Sequence, residues 1–262
     1  MPTRYPLAAC LMLASCTCSE PPKLNAEVVD LWGQPVADAT VQLDKDKADA
    51  PAAGQTDAQG HSSFELPDGE HSLSASKAEY IGVTKVLDIE AGEDSIVVQL
   101  QLWPEPPGRG LYFIGESSYD KLEPQAVDAK GNDLRMFYGV ASSGDVSGKA
   151  NDFRVVFNTD LKMDEVMRLG YELHKLEYVT ETTIDSPEGE VEVDVNLWTV
   201  AKEYDIAFEE LGSPNNYLIT PEEELEPGTY AFQAFDVLTP GTYEAFSKLH
   251  SDIREAYAFE VK

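Results

Sequence analysis

Apolar residues at every second position, in runs too short for anything but strands, constrain this chain more than any other feature. In "EVEVDVNLWTV", Val191, Val193, Val195 and Leu197 fall on one parity, and Glu192, Asp194 and Asn196 on the other. That is the period of a strand with one buried and one solvated face. The same alternation flanks a Gly-x-Pro turn in "LNAEVVDLWGQPVADATVQL", which reads as strand–turn–strand from Leu24. Glycine there supplies a positive φ and proline a fixed one. "HSSFEL" and "EHSLSA" lie on either side of the turn Pro67-Asp68-Gly69, and "SIVVQLQL", Ser95 to Leu102, reads as an apolar, β-branched edge strand. Further along, "LYFIG", "DLRMFYGV", "DFRVVFN", "LEPGTYAFQAF" and "EAYAFEVK" are short, aromatic and branched. Tyr243, Phe246, Leu249 and Ile253 recur at helical spacing and predict a short helix from about Thr242, whereas "MDEVMRLGYELHKLEY" fits helix or strand equally. The expected fold class is all-β, with at most one or two short helices.

The proline-rich run "LWPEPPGRG", Leu102 to Gly110, separates two strand-rich stretches. With 262 residues and 42% apolar side chains, the chain can pack two cores. The expected organisation is a β-sandwich at 24–102, a hinge at 103–109, and a β-rich, sandwich-like second domain at 110–262.

One set of turn and strand residues extends through the first stretch. It comprises Val29-Asp30 with Gly33-x-Pro35-Val36, Ala39-x-Val41, Thr56-Asp57 with Gly60, Phe64-x-Leu66-Pro67-x-Gly69, and His71-x-Leu73-x-Ala75. This pattern resembles the carboxypeptidase regulatory-like domain, and shares its turn logic with collagen-adhesin B-type modules. The resemblance covers Leu24 to about Leu102 and implies a seven-stranded, transthyretin-like β-sandwich. In that family the module is a structural or recognition add-on, and none of the matching residues is chemical.

All three cysteines, Cys10, Cys16 and Cys18, fall within the first eighteen residues. Scaffold disulfides would be spread through the fold, and C-x-C alone supplies too few zinc ligands. The preceding residues give a better account. Arg4, then an apolar stretch from Leu7 to Leu13, then two small residues, is the pattern of a secretory leader too short to span a bilayer. Leu13-Ala14-Ser15-Cys16 resembles the bacterial lipobox. That resemblance implies cleavage between Ser15 and Cys16 and acylation of Cys16, with 1–15 as signal peptide and 16–23 as a polar tether. An ordinary secretory signal with a chance cysteine is the other reading. Thr17 stands where an inner-membrane retention aspartate would be, which by the same resemblance implies the outer membrane. The membrane, through the lipid, is then the first expected partner, with an envelope protein or a glycan as a second.

Charge removes one function class. The chain carries 19 Lys and Arg against 48 Asp and Glu, and loss of Arg4 with the leader leaves a formal charge of −30. Such a chain repels phosphates, so nucleic acid is excluded as a partner. The clusters Asp44-x-Asp46-x-x-Asp49 and Glu222-Glu223-Glu224 carry oxygen ligands of the calcium type but lack the glycine and distal glutamate of an EF-hand, and the glutamates read as a solvated loop. His61, His71, His174 and His250 have no H-x-x-H partner and read as solvated or capping residues. The sequence has no G-x-S-x-G elbow, and the Gly144–Gly148 spacing with Ala150 rules out a phosphate loop. No catalytic residue, metal ligand or cofactor is expected. The expected function is that of a non-catalytic, lipid-anchored cell-envelope protein with a structural or ligand-binding role. Two alternatives stay open. One is a carbohydrate- or peptidoglycan-binding module using the aromatic-rich stretch from Tyr230 to Phe259. The other is an acidic-site hydrolase, recognisable by carboxylates converging in an apolar pocket.

Overall fold

The computed structural model describes residues 23–44, 53–65, 69–89, 95–150, 153–212 and 215–262. Within them the fold is all-β, as expected: four sheets and two six-residue α-helices, α1 (Met163–Arg168) and α2 (Tyr243–Lys248). The leader, Cys16 and Cys18 lie outside the described residues, as do Asp46 and Asp49.

The N-terminal part is a sandwich of two four-stranded sheets. One has the order β4 (His61–Glu65), β1 (Lys23–Asp30), β8 (Ser95–Pro104), β6 (Tyr80–Ile81). The other has the order β3 (Gly54–Gln55), β2 (Thr40–Leu43), β5 (Gly69–Ser76), β7 (Val83–Ile89). Leu24, Val28, Val41, Leu73 and Leu100 fill the space between them. One detail differs from the sequence reading. The turn at Gly33 folds only Gln34–Val36 back on β1, through the bridge Val29–Pro35 and the Asp30 N–H to Gln34 and Val36 N–H to Val28 hydrogen bonds, and β2 then enters the other sheet. Asp30 Oδ1 causes this corner by accepting from the backbone N–H of Trp32 (2.9 Å) and Gln34 (2.8 Å), while Gly33 takes a φ of 77°. Over Ser95–Leu102 β8 is an edge, as read: it runs parallel to β1 from Lys23–Ser95 to Asp30–Leu102, with Val98, Leu100 and Leu102 buried, and β6 joins it only at Trp103 and Pro104.

The residues of the recognised pattern are mechanical. The Thr56 hydroxyl donates to the Val36 carbonyl (2.6 Å) and accepts from the Ala39 N–H (2.9 Å). Gly60 has a φ of 80°, and its carbonyl accepts from the Val28 N–H at 2.8 Å; a Cβ at this position would collide with the Val28 oxygen.

The C-terminal part stacks two further sheets. The five-stranded sheet has the order β10 (Tyr119–Lys121), β9 (Gly110–Ile114), β15 (Val155–Asn158), β19 (Asn216–Pro221), β18 (Ile206–Glu210). The eight-stranded sheet follows β11 (Gln125–Ala126), β21 (Glu255–Val261), β20 (Gly228–Gln233), β16 (Glu172–Ser186), β17 (Gly189–Tyr204), β13 (Arg135–Val140), β12 (Asp128–Asn132), with β14 (Ser147–Gly148) beside β21. Only Val127 separates β11 from β12, yet they form opposite ends of this order. The sheet therefore curls until one stretch of chain supplies both edges. Its two faces differ in side-chain size. Tyr230, Phe232 and Phe259 pack on one face against the five-stranded sheet, while Ala231, Ala256 and Ala258 line the other with Val127, Val237 and Phe246. Small side chains on the concave side are what a tightly curled sheet requires.

Two sequence ambiguities resolve here. "MDEVMRLGYELHKLEY" is both helix and strand, because α1 stops before Gly170 (φ 60°) and β16 starts at Glu172. In β17, Asn196 adopts a φ of 50°, and a bulge pairs Val193 with Thr182 but Leu197 with Val179. Leu197 thus leaves the row of Val191 and Val193, correcting the single-face reading of this strand.

The two parts share an apolar cluster. Leu31 and Ile81 from the sandwich pack with Ile114, Val156 and Leu211 from the five-stranded sheet, with Trp32, Trp103 and Tyr119 at the margin. The Trp32 indole N–H donates to the Gly115 carbonyl (3.0 Å), and the Tyr119 hydroxyl donates to the Pro104 carbonyl (2.9 Å). Gly212 (φ 53°) sits so near Gly82 that a Cβ would strike the Gly82 oxygen. Leu31→Ala should therefore cost about 2–4 kcal/mol in denaturant titration. Both parts should melt in one transition; two resolved transitions would show that the junction does not couple them. Burial also raises the Tyr119 phenol well above its ordinary value. A raised folded pKa contributes stability below the unfolded value and loses it as pH rises. The melting temperature should thus fall above about pH 10, the free tyrosine value. Tyr119→Phe should flatten that fall, as scanning calorimetry at stepped pH would reveal.

Candidate functional site

The hairpin β12–β13 carries its inward face beyond the cover that the rest of the curled sheet provides. Register pairs Ala129 with Tyr138 and Gly131 with Met136, so these four share one face. Opposite them stand Gly241, Thr242 and Tyr243 at the start of α2. The space between is a groove of about 610 Å³. Its tip is held by Asn132, whose Oδ1 accepts from the N–H groups of Leu134 (3.0 Å) and Arg135 (3.2 Å). The Arg135 guanidinium lies over the Phe137 ring at 4.7 Å, which limits its freedom. The opposite wall is fixed by the Thr242 hydroxyl, which accepts from the Ala245 N–H at 3.1 Å.

The tyrosines differ. Tyr138 backs onto Phe246 at 5.1 Å between ring centres, whereas Tyr243 is 55% exposed. Burial, and then the proximity of Tyr243, raise the Tyr138 phenol above its ordinary value, so its hydroxyl remains a donor at neutral pH. The aromatic-rich stretch singled out in the sequence is thus mostly core: Tyr230, Phe232, Phe246 and Phe259 are buried, and Tyr243 and Phe235 are its exposed aromatic side chains. Tyr138, Met136 and Arg135 had no sequence signal; only the curl of the sheet brings them opposite Tyr243.

The histidines divide evenly. His61 is exposed, and His250 caps a short 3-10 turn by accepting from the Asp252 N–H (3.4 Å). His71 instead pairs with Asp44 (Nδ1 to Oδ2, 2.5 Å), and the other Asp44 oxygen accepts from the Ser72 N–H at 2.9 Å. Asp44 is thus buried and serves the sandwich. His174 is buried between β16 and β20. Its Nε2 lies 3.0 Å from Glu172 Oε2 and 2.8 Å from Gln233 Nε2, and its buried Nδ1 has no hydrogen-bond partner among the described residues. Gln233 is oriented by accepting from the Leu238 N–H (2.6 Å) and donates to Glu172 (2.6 Å) and Thr239 (3.0 Å). This network closes one end of the curled sheet and is shut off from solvent at His174.

Carboxylates line two other clefts. Glu116 and Asp120 sit near Lys149 and Lys262, and Lys149 holds Glu116 below its ordinary value through a 2.7 Å hydrogen bond. Glu222, Glu223 and Glu224 line another beside Arg154, with Glu223 also bonded to Lys202 at 2.9 Å. Among the described residues no group of three or more His, Cys, Asp and Glu is placed to hold a metal ion, and no helix is long and apolar enough to cross a membrane.

The densest negative charge is on the β16–β17 ribbon. Between Glu177 and Asp194 there are seven carboxylates and no cationic residue, and all seven are exposed. Glu181 faces Asp194 and Asp185 faces Glu190 directly across the strands. Like charges so placed destabilise a pair of strands, and salt screens them within a Debye length of about 8 Å. Sodium chloride should raise the melting temperature, and millimolar calcium at matched ionic strength should add little. A calcium-specific rise of several degrees that chelator reverses would contradict this.

No protein-family model matches the chain, and no curated protein matches it. Solved structures to which it is similar include the full-length major pilin SpaD from Corynebacterium diphtheriae (12% identity, 92% of this chain and 56% of the pilin, TM-score 0.26). A streptococcal ancillary pilin matches at 12% identity over 92% of this chain and 58% of the pilin, with a TM-score of 0.27. A DUF3823 family protein from Parabacteroides merdae matches at 11% identity over 92% of this chain and 99% of that one, with a TM-score of 0.24. The chain spans little more than half the length of the two pilins.

Proposed function

We propose that this is a non-catalytic, lipid-anchored envelope protein whose N-terminal sandwich acts as a spacer and whose C-terminal part is the binding portion. In this reading 1–15 is removed, Cys16 is acylated, 16–23 is a tether, and the protein resides at the outer membrane. The sandwich at 24–102 is a carboxypeptidase regulatory-like module, in keeping with its two facing sheets and the structural roles of Thr56 and Gly60.

The observation that carries the proposal is the run of β1. It begins at Lys23, next to the tether, and ends at Asp30, directly before the junction residues Leu31 and Trp32. Eight residues of strand cover roughly 26 Å at about 3.3 Å each. Lys23 and the C-terminal part therefore lie at opposite ends of the sandwich, which suits a spacer if the chain before Lys23 carries the anchor. Two or more acyl chains, at about 0.8 kcal/mol per buried methylene, hold such a protein without a spanning helix.

A Cys16→Ser variant should lose palmitate labelling and leave the membrane fraction, while keeping the same circular dichroism spectrum. Wild-type protein that takes up no label and fractionates as soluble would remove the anchor from this reading.

A further inference from the structure

We propose that the groove between the β12–β13 hairpin and α2 binds an uncharged saccharide, stacked on Tyr243 and Tyr138. This rests on the non-catalytic binding role proposed above and names its ligand class. Charge is the first argument. The chain as a whole has a formal charge of −29, yet the residues lining the groove include a single acidic one, Asp133, and the guanidinium of its neighbour Arg135 turns to Phe137 on the other face of the hairpin. Nearly all of the negative charge lies elsewhere, and one carboxylate is too little to hold a cation.

Shape and chemistry narrow the class further. A pyranose presents a C–H face bounded by a rim of hydroxyls. It needs a flat aromatic surface beside paired donors and acceptors. Tyr243 offers an exposed ring, Tyr138 a ring held in place by Phe246, the two tyrosine hydroxyls can donate, and Asp133 stands at the rim as an acceptor. Ala129 and Gly131 opposite Met136 and Tyr138 keep the floor low, leaving room for a sugar ring above it. A peptide added as an extra strand would need the backbone of a sheet edge. The floor and one wall of this groove are instead the side-chain face of β12–β13.

The test uses the full-length protein in detergent and three uncharged probes: chitotetraose, cellotetraose and xylotetraose. Binding is followed by NMR shifts of the tyrosine rings, and release of reducing ends is assayed in parallel. At least one probe should perturb Tyr243 and Tyr138 saturably; which one does so separates N-acetylated from plain hexose and pentose chains. Tyr243→Ala should weaken binding about tenfold or more, and Tyr243→Phe should stay within about threefold, because stacking needs the ring and not the hydroxyl. Both variants should keep the wild-type melting temperature, since Tyr243 is an exposed side chain. Absence of saturable shifts with all three probes overturns the proposal, as does unchanged affinity in Tyr243→Ala or occupation of the groove by peptides alone. Release of reducing ends by a probe that still binds there would overturn the non-catalytic role while leaving the saccharide groove standing.

Discussion

The five-stranded sheet has no solvated face along its central strands, and the architecture is arranged around that fact. Residues of one parity in β9, β15 and β19, namely Leu111, Phe113, Val155, Phe157, Tyr217 and Ile219, face the curled sheet. Ile114, Val156 and Leu218, of the other parity, face the N-terminal sandwich. A sheet buried on both sides needs two partners, and here they come from different ends of the chain. Each such side chain contributes about 1.5–3 kcal/mol when fully removed from water. Separating the two parts would therefore expose a row of apolar residues along with Leu31, Ile81 and the two tryptophans. The corner at Gly33 acquires its meaning here. By sending β2 to the opposite sheet instead of folding it back on β1, it leaves Leu31 and Trp32 projecting at the sandwich end.

This dual burial also sets what the sequence could disclose. "LYFI", "VVF" and "YLIT" are continuous apolar runs, as expected of strands covered on both faces, and they identify strands well. They do not say which neighbour covers which side. The alternating strands were read correctly for the same reason that they fold: one face meets core and the other water. The reading failed at Leu197 because a bulge at Asn196 shifts parity, and a bulge centred on asparagine gives no stronger local signal than any surface Asn. It could not name the partner of β8, because the parallel pairing with β1 joins residues about seventy positions apart, beyond any local pattern.

The candidate groove was less legible than the fold. Tyr243 was marked by helical periodicity, but as a buried position, and Phe246 of the same set is the one that enters the core. His174 was read as solvated or capping for want of a spaced partner, and Asp44 as one carboxylate of an acidic cluster. Each is buried beside a partner remote in sequence, Gln233 for one and His71 for the other. Such pairings carry no spacing rule, so only the folded chain could reveal them. By contrast, the residues of the recognised turn pattern were read as mechanical, and Thr56, Asp30 and Gly60 each hold a specific backbone contact.

The order of layers links these separate features. From the start of β1, the chain reaches the junction cluster, then the doubly buried sheet, then the aromatic interior of Tyr230, Phe232 and Phe259, and then the alanine-lined concave face of the curled sheet. The hairpin β12–β13 and α2 border that last face, so the groove belongs to the layer furthest from Lys23. Alternating alanine with aromatic residues in β20 and β21 is what makes this possible. Large side chains bind the curled sheet to the layer beneath, while small ones let it bend enough for residues 125–132 to meet both edges. Were Ala231, Ala256 and Ala258 larger, the sheet would have to open, α2 would lose its seat for Phe246, and Tyr243 would no longer stand opposite Tyr138. The same three small residues that close the fold therefore also determine the width of its outermost groove.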